Sequence, residues 1–217
     1  GFIYQFYYSG GDTFTYHTHG SRPLWEALIE TPANGIKAFF YHGTYGAGLW
    51  SIAEKIWYWR DSSSFFIIQI ATIFDLITFS SYSATAVLFS VLSFIGGWML
   101  YLTFYTSYPK AYRILAYSCL FVPSVIFWGS GILKDTVTLA FVGISTYCVS
   151  RLIIDRKISI LNVALLIVSF YVIFSVKKYI LISLVAGIIV WVASNYILRI
   201  RSAVSRLLLI PTVTVLS

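Results

Sequence analysis

A single acid follows two glycines in the stretch Tyr8-Ser9-Gly10-Gly11-Asp12-Thr13-Phe14-Thr15-Tyr16-His17. Glycines let the backbone turn sharply and leave room for a ligand. A carboxylate in such a turn can take the proton of an acceptor hydroxyl or help hold a metal. It can equally cap the helix that follows, where Asp is favoured. His17 and His19 come next. Together with Asp12 they form a donor set that suits a divalent metal ion. Residues two apart on a helix diverge, however, so the other reading is polar loop residues or sugar contacts, with Tyr16 and His17 as the substrate-binding pair and no metal ligand assigned.

A second constellation is Phe127-Trp128-Gly129-Ser130-Gly131-Ile132-Leu133-Lys134-Asp135-Thr136, which interrupts two apolar runs. Gly129 and Gly131 expose backbone N–H groups just before a predicted helix. A helix N-terminus attracts anions, and Lys134 adds a positive charge, so Ser130 and Lys134 read as a phosphate clamp. A plain helix hairpin with Lys134 and Asp135 solvated is the alternative. The third constellation is Lys177-Lys178. These adjacent cations either bind a lipid-linked phosphate or snorkel at the interface. Asp75 reads as structural, as do Glu54 and Asp61, with Glu54 a candidate second acid. Cys119 and Cys148 fall inside apolar runs and read as small buried hydrophobes. The chain has no Walker A, HExxH, GxSxG or CxxC pattern, which argues against a P-loop ATPase, a zincin and a serine hydrolase.

The elements that carry these residues are set by composition. Of 217 residues, 59% are hydrophobic and 11% charged, and mean hydropathy is +0.81. Soluble domains carry about 25% charged residues, so an all-α, polytopic membrane protein in contact with a lipid bilayer is expected. The net charge of +7 sits in short clusters between apolar runs, a topology signal and not a footprint for nucleic acid. The first eight residues read as the end of a first transmembrane helix. Residues 9–82 read as a long extracytoplasmic loop with interfacial helices, including Pro23 to Ile29 and Trp50 to Trp59. In Trp50 to Trp59, the residues Trp50, Ile52, Ile56, Trp57 and Trp59 are expected to face lipid. Residues 83–217 read as an incomplete helix bundle. Its spans are predicted at Ala84 to Tyr105, Tyr112 to Trp128, Leu133 to Val149, Ile158 to Val176 and Tyr179 to Leu198, with another starting at Leu207. The absence of an initiator Met and the apolar end suggest a piece of a longer protein, with helices on both sides.

Phe65 to Phe79 is 15 residues with a polar stripe at Gln69, Thr72, Asp75 and Thr78. We read it as an interfacial helix that does not cross. Lys110/Arg113, Arg151/Arg156/Lys157 and Arg199/Arg201/Arg206 then share the cytoplasmic side. Asp12, Lys134 and Lys177-Lys178 share the other. Were it to cross, Asp12 would be separated from those lysines.

The order of features resembles the glycosyltransferase C superfamily. Three stretches carry the likeness: Tyr8 to Tyr16 with its acid, the long loop running into Ser64 to Ser83, and Pro123-Ser124-Val125-Ile126-Phe127-Trp128-Gly129-Ser130-Gly131-Ile132-Leu133-Lys134-Asp135. The last is similar to a PS-x-x-FW-x-SG-x-x-KD/E stretch of bacterial polysaccharide membrane proteins. The resemblance implies an inverting transferase of the bacterial inner membrane, active in cell-envelope polysaccharide biosynthesis. Asp12 would be its catalytic base, a polyprenyl-phosphate-linked sugar its donor, and a lipid-linked glycan or protein its acceptor. Many members carry paired acids, whereas Thr13 follows Asp12 here. A polysaccharide polymerase or flippase-like protein, a transporter and a structural membrane subunit are the competing classes.

Overall fold

The computed structural model describes residues 11–40, 43, 46 and 48–199. Among them regular structure is helical, with no strand. The expected helix end at residues 1–8, the apolar run from Leu207, and Arg201 and Arg206 lie outside the described residues.

Helix α1 (Asp12–Tyr16) starts from Gly11 at φ 129°. Only glycine adopts that conformation without strain, so Gly11 sets the angle at which α1 leaves the chain. A π-type turn, His17–Ser21, breaks at His19 and leads into α2 (Arg22–Glu30). Helix α3 (Pro32–Phe40) folds back so closely that a Cβ on Gly35 would overlap the α2 backbone. The expected interfacial helix over Trp50 to Trp59 is one turn only, α4 (Trp50–Ala53). The Trp57 N–H donates to the His19 carbonyl at 3.1 Å, folding the segment back. Ile52, Ile56 and Trp59 are consequently buried, leaving Trp50 and Trp57 on the outside.

Helix α5 (Ser62–Thr78) is capped by Asp61, whose carboxylate accepts the Ser63 N–H. Its polar stripe does not face water. Thr72 and Asp75 are fully buried, whereas Ile73, Leu76 and Ile77 are exposed. It ends in two left-handed residues, Phe79 and Ser80, which redirect the chain into α6 (Tyr82–Ser107). A 3-10 turn, Pro109–Ala111, leads into α7 (Tyr112–Leu120) and α8 (Pro123–Trp128). The single span expected over Tyr112 to Trp128 is thus two short helices. Pro123 pushes Val122 into extended backbone and ends the helix before it.

Helix α9 (Lys134–Val149) continues through a π-type turn to Ile154. Helices α10 (Ile160–Val176) and α11 (Lys178–Arg199) follow as a hairpin. Among the described residues, three stretches are long and apolar enough to cross a membrane: Tyr82–Ser107, Lys134–Ile154 and Lys178–Tyr196. Helices α5 and α10, at 17 residues each, reach about 25 Å, short of a ~30 Å hydrocarbon core. Helices α6 and α9 cross in near backbone contact. A Cβ on Gly143 would overlap Gly96, and one on Gly96 would overlap Ala140. Small residues at a crossing let apolar helices approach this closely.

Candidate functional site

The first turn of α1 is anchored by Thr13. Its side chain is fully buried, its Oγ1 accepts the Ile132 N–H at 3.0 Å, and it lies 3.0 Å from the Tyr82 hydroxyl. Phe14 stacks on the same Tyr82 ring at 4.2 Å. One side chain therefore ties the start of α1 to the start of α6 and to the Gly129–Leu133 turn, 119 residues away.

A second tie begins at Tyr16. Ser64 Oγ donates to Asp61 Oδ2 at 2.5 Å, so the Tyr16 hydroxyl, 3.2 Å from Ser64 Oγ, is left to donate to it. Asp61 Oδ2 lies 3.3 Å from Lys134 Nζ, and Lys134 also donates to Ser63 Oγ at 2.7 Å. The result is a polar chain, Tyr16–Ser64–Asp61–Lys134, that runs from α1 across the N-terminus of α5 to the N-terminus of α9. Asp12 is exposed and makes no capping bond, because Gly11 holds the cap position. It lies at the positive end of α1, where a carboxylate is favoured.

Charge and burial act on this corner together. Burial pushes the Tyr16 phenol up to about 12, the Ser64 hydrogen bond opposes the shift, and the charges of Tyr58, Asp12 and Asp61 add to it. Tyr58, stacked on Tyr16 at 4.9 Å, is also raised, by burial and by the Asp12 and Asp61 carboxylates. Both phenols remain neutral donors at physiological pH. For Asp61, burial pushes upward, but hydrogen bonds from Ser64 and Ser63 and the Lys134 charge outweigh it and hold the carboxyl well below the usual range.

Lys177 pairs with Asp135, the residue after Lys134. Burial lowers its pKa, yet the Asp135 hydrogen bond and charge raise it further, for a net rise. Lys178 lies 5.1 Å over the Phe174 ring. It lines a cleft of about 630 Å³ with Phe39, Phe66, Gln69 and Tyr171. Asp12, Tyr16, Lys134 and Lys177 thus gather at one end of the helices. The loops holding Lys110, Arg113, Arg151 and Arg156 follow the far ends of α6 and α9. The cations, however, are not free to receive a phosphate: Asp61 holds Lys134 and Asp135 holds Lys177.

Two expected site residues lie elsewhere. Ser130 donates to the Phe127 carbonyl at 3.0 Å and lines a separate cavity of about 190 Å³ with Ser93, Gly97 and Cys119. His17 is only 4% exposed, with Nε2 3.7 Å from Asp75 Oδ1, so it is removed from the substrate-facing set. The metal reading of Asp12, His17 and His19 is also corrected. His17 turns to Asp75, His19 stacks on Trp57 at 4.1 Å, and no group of three metal-ligating side chains converges among the described residues.

Sequence reasoning missed Thr13, Tyr58, Ser63 and Ser64, and gave Asp61 no role. The signal for Asp61 was present. Asp-Ser-Ser-Ser before an apolar run is an N-cap pattern. Its pairing with Lys134, 73 residues on, had no local signature. No protein-family model, no curated protein and no solved structure matches the chain.

Proposed function

We propose that this chain belongs to a polytopic membrane glycosyltransferase that moves a sugar from a polyprenyl-phosphate donor to a lipid-linked glycan or protein acceptor at the extracytoplasmic face. The observation that carries the reading is the meeting of the Asp12 helix with the Gly129–Asp135 turn through Thr13 and through Tyr16–Ser64–Asp61–Lys134. An acid-bearing motif and a cation-bearing motif far apart in the chain share one water-accessible edge beside apolar helices. Sugar transfer from a lipid phosphate needs that pairing.

In this mechanism the acceptor oxygen attacks the anomeric carbon, and Asp12 takes the acceptor proton. The bond from that carbon to the phosphate oxygen breaks, and its electron pair leaves with the phosphate. Lys134 and Lys177 stabilise the departing charge, and Lys178 extends the cationic rim. Because both are ion-paired, the phosphate binds by exchange: it displaces Asp61 from Lys134. The released Asp61 carboxylate, beside Tyr16 and Ser64, then serves as the second acid that the missing neighbour of Asp12 leaves wanting.

The test is Asp12→Asn assayed for transfer in membranes supplied with lipid-linked sugar. Transfer should be lost while insertion and thermal stability are retained. Wild-type turnover in that variant would refute the role of Asp12.

A further inference from the structure

The same α1 region has a second, enclosed polar locus facing away from Asp12. Among the described residues, four buried side-chain polar atoms there have no hydrogen-bond partner: His17 Nε2, Ser21 Oγ, Asp75 Oδ2 and Ser80 Oγ. They belong to two elements that pack against each other. His17 and Ser21 lie on the π-type turn after α1; Asp75 and Ser80 lie at the C-terminal end of α5. His17 Nε2 is 3.7 Å from Asp75 Oδ1, and its other nitrogen bonds the Ser80 backbone. The Ser80 N–H donates to the Asp75 carbonyl at 3.1 Å. Thr72, one turn before Asp75, reaches the Ser21 carbonyl at 3.5 Å.

The titratable groups of this locus are one carboxylate and one imidazole. Asp75 is fully buried, and Thr85 donates to only one of its oxygens, at 2.5 Å. Its ion-pair partner among the described residues is His17. Burial drives that imidazole toward its neutral form; Asp75 opposes this, and Arg22 reinforces it. Arg22 itself is exposed and paired with Glu26 at 3.3 Å. The remaining neighbour, Tyr82, presents a ring to His17 at 5.6 Å. With one imidazole nitrogen bonded to Ser80, Nε2 of a neutral ring would turn a lone pair toward the Asp75 carboxylate, 3.7 Å away. Two acceptors facing each other at this distance repel unless something positive lies with them. The C-terminal end of α5 adds its own partial negative charge.

From this geometry we infer that His17, Ser21, Asp75 and Ser80 enclose a binding site for a small monovalent cation of sodium size. Asp75 supplies the neutralising charge, and Ser21 and Ser80 supply hydroxyl oxygens. Hard oxygen donors select hard cations, and a helix C-terminus beside a carboxylate is a recurrent alkali-ion arrangement in membrane proteins. One carboxylate balances one positive charge, which favours an alkali ion over a divalent one. Since α1 leads directly into this turn, the ion would lock the segment that carries Asp12. The site rests on orphaned donors and not on the transferase reading, so either can fail alone.

The experiment is equilibrium binding of radioactive sodium to the purified chain in detergent, with thermal unfolding in sodium, potassium and choline chloride at equal ionic strength. Saturable sodium binding is expected, with a Tm that climbs with sodium and not with choline. Asp75→Asn should abolish both effects, and Ser80→Ala should weaken binding several-fold. Absence of saturable sodium binding to the wild-type chain overturns the site, whatever the variants do. In that event, a Tm that depends on pH in choline and loses this dependence in Asp75→Asn would assign the locus to a proton. A Tm indifferent to both ion and pH would assign it to water.

Discussion

Thr13→Val is the sharpest test of how the two motifs are joined. Valine keeps the shape of threonine and removes the oxygen that accepts the Ile132 N–H and pairs with the Tyr82 hydroxyl. Ile132 is fully buried, so its N–H has no water to turn to. A buried donor left unsatisfied costs ~1–3 kcal/mol. The Tyr82 hydroxyl sits in a half-buried residue and can recover solvent, so it adds less. We expect a loss of ~2 kcal/mol, which for a chain of this size is a fall in Tm of ~4–8 °C. Thr13→Ser keeps the acceptor and should melt close to wild type. Tyr82→Phe should cost less than Thr13→Val, and the double variant should fall short of the sum, because both changes break one shared bond. The assay is thermal unfolding of the purified chain in detergent. A Thr13→Val protein that melts with the wild type would refute the reasoning, since the tie between α1 and the Gly129–Leu133 turn would then carry no stability.

Two further predictions follow from single residues. The Asp61 carboxyl is depressed below its ordinary value. Its stabilisation is therefore fully present above the unfolded carboxylate pKa of ~3.9, and it fades as pH falls from there through the folded pKa. Asp61→Asn, which keeps a good helix cap, should melt below wild type at neutral pH, with the gap closing as pH falls below ~4. A gap that is constant with pH would remove the ion pair from the account. The effect should be modest and salt-sensitive, because the side chain is 49% exposed. At the α6–α9 crossing, Gly143→Ala drives a Cβ into the Gly96 backbone and should cost ~1–3 kcal/mol or more. Gly187→Ala meets nothing within 4 Å and should be neutral. Size-exclusion profiles and melting curves of the pair check this, and equal behaviour would contradict the close crossing.

The helices were largely legible in the sequence because apolar run length is a strong local signal. Ala84 to Tyr105 lies inside α6, Ile158 to Val176 nearly coincides with α10, and Tyr179 to Leu198 lies within α11. The failures have local causes. Pro123 splits an apolar run whose hydropathy alone reads as continuous. The Trp57–His19 backbone bond folds up a stretch whose spacing reads as helical. For the candidate site, residue chemistry singled out Asp12, Lys134 and Lys177, and the loop charges led to the expectation that they share a side. What spacing could not reveal was that Asp61 and Asp135 occupy the two lysines, or that His17 turns inward. Those are pairings across 73, 42 and 58 residues, set by how the helices dock and not by any neighbouring residue.

Helix α5 shows why the inversion at His17 escaped a sequence reading. A polar stripe on a helix is ordinarily assigned to water, and its apolar face to the core. Here the assignment is reversed: Thr72 and Asp75 are buried, and Ile73, Leu76 and Ile77 face out. In water that arrangement would lose on both faces, exposing apolar surface while desolvating a carboxylate. Against lipid the outer face costs nothing, and the polar groups gain by turning to one another. The stripe that looked like a solvent-facing surface is therefore the inner face, which is how Asp75 comes to meet His17 and Thr85. The exposed apolar faces of α6 and α11 fit the same exterior. A chain with this pattern specifies its fold through small residues at crossings and polar ties at helix ends, and the tie at Thr13 joins the helix that carries Asp12 to the turn that precedes Lys134.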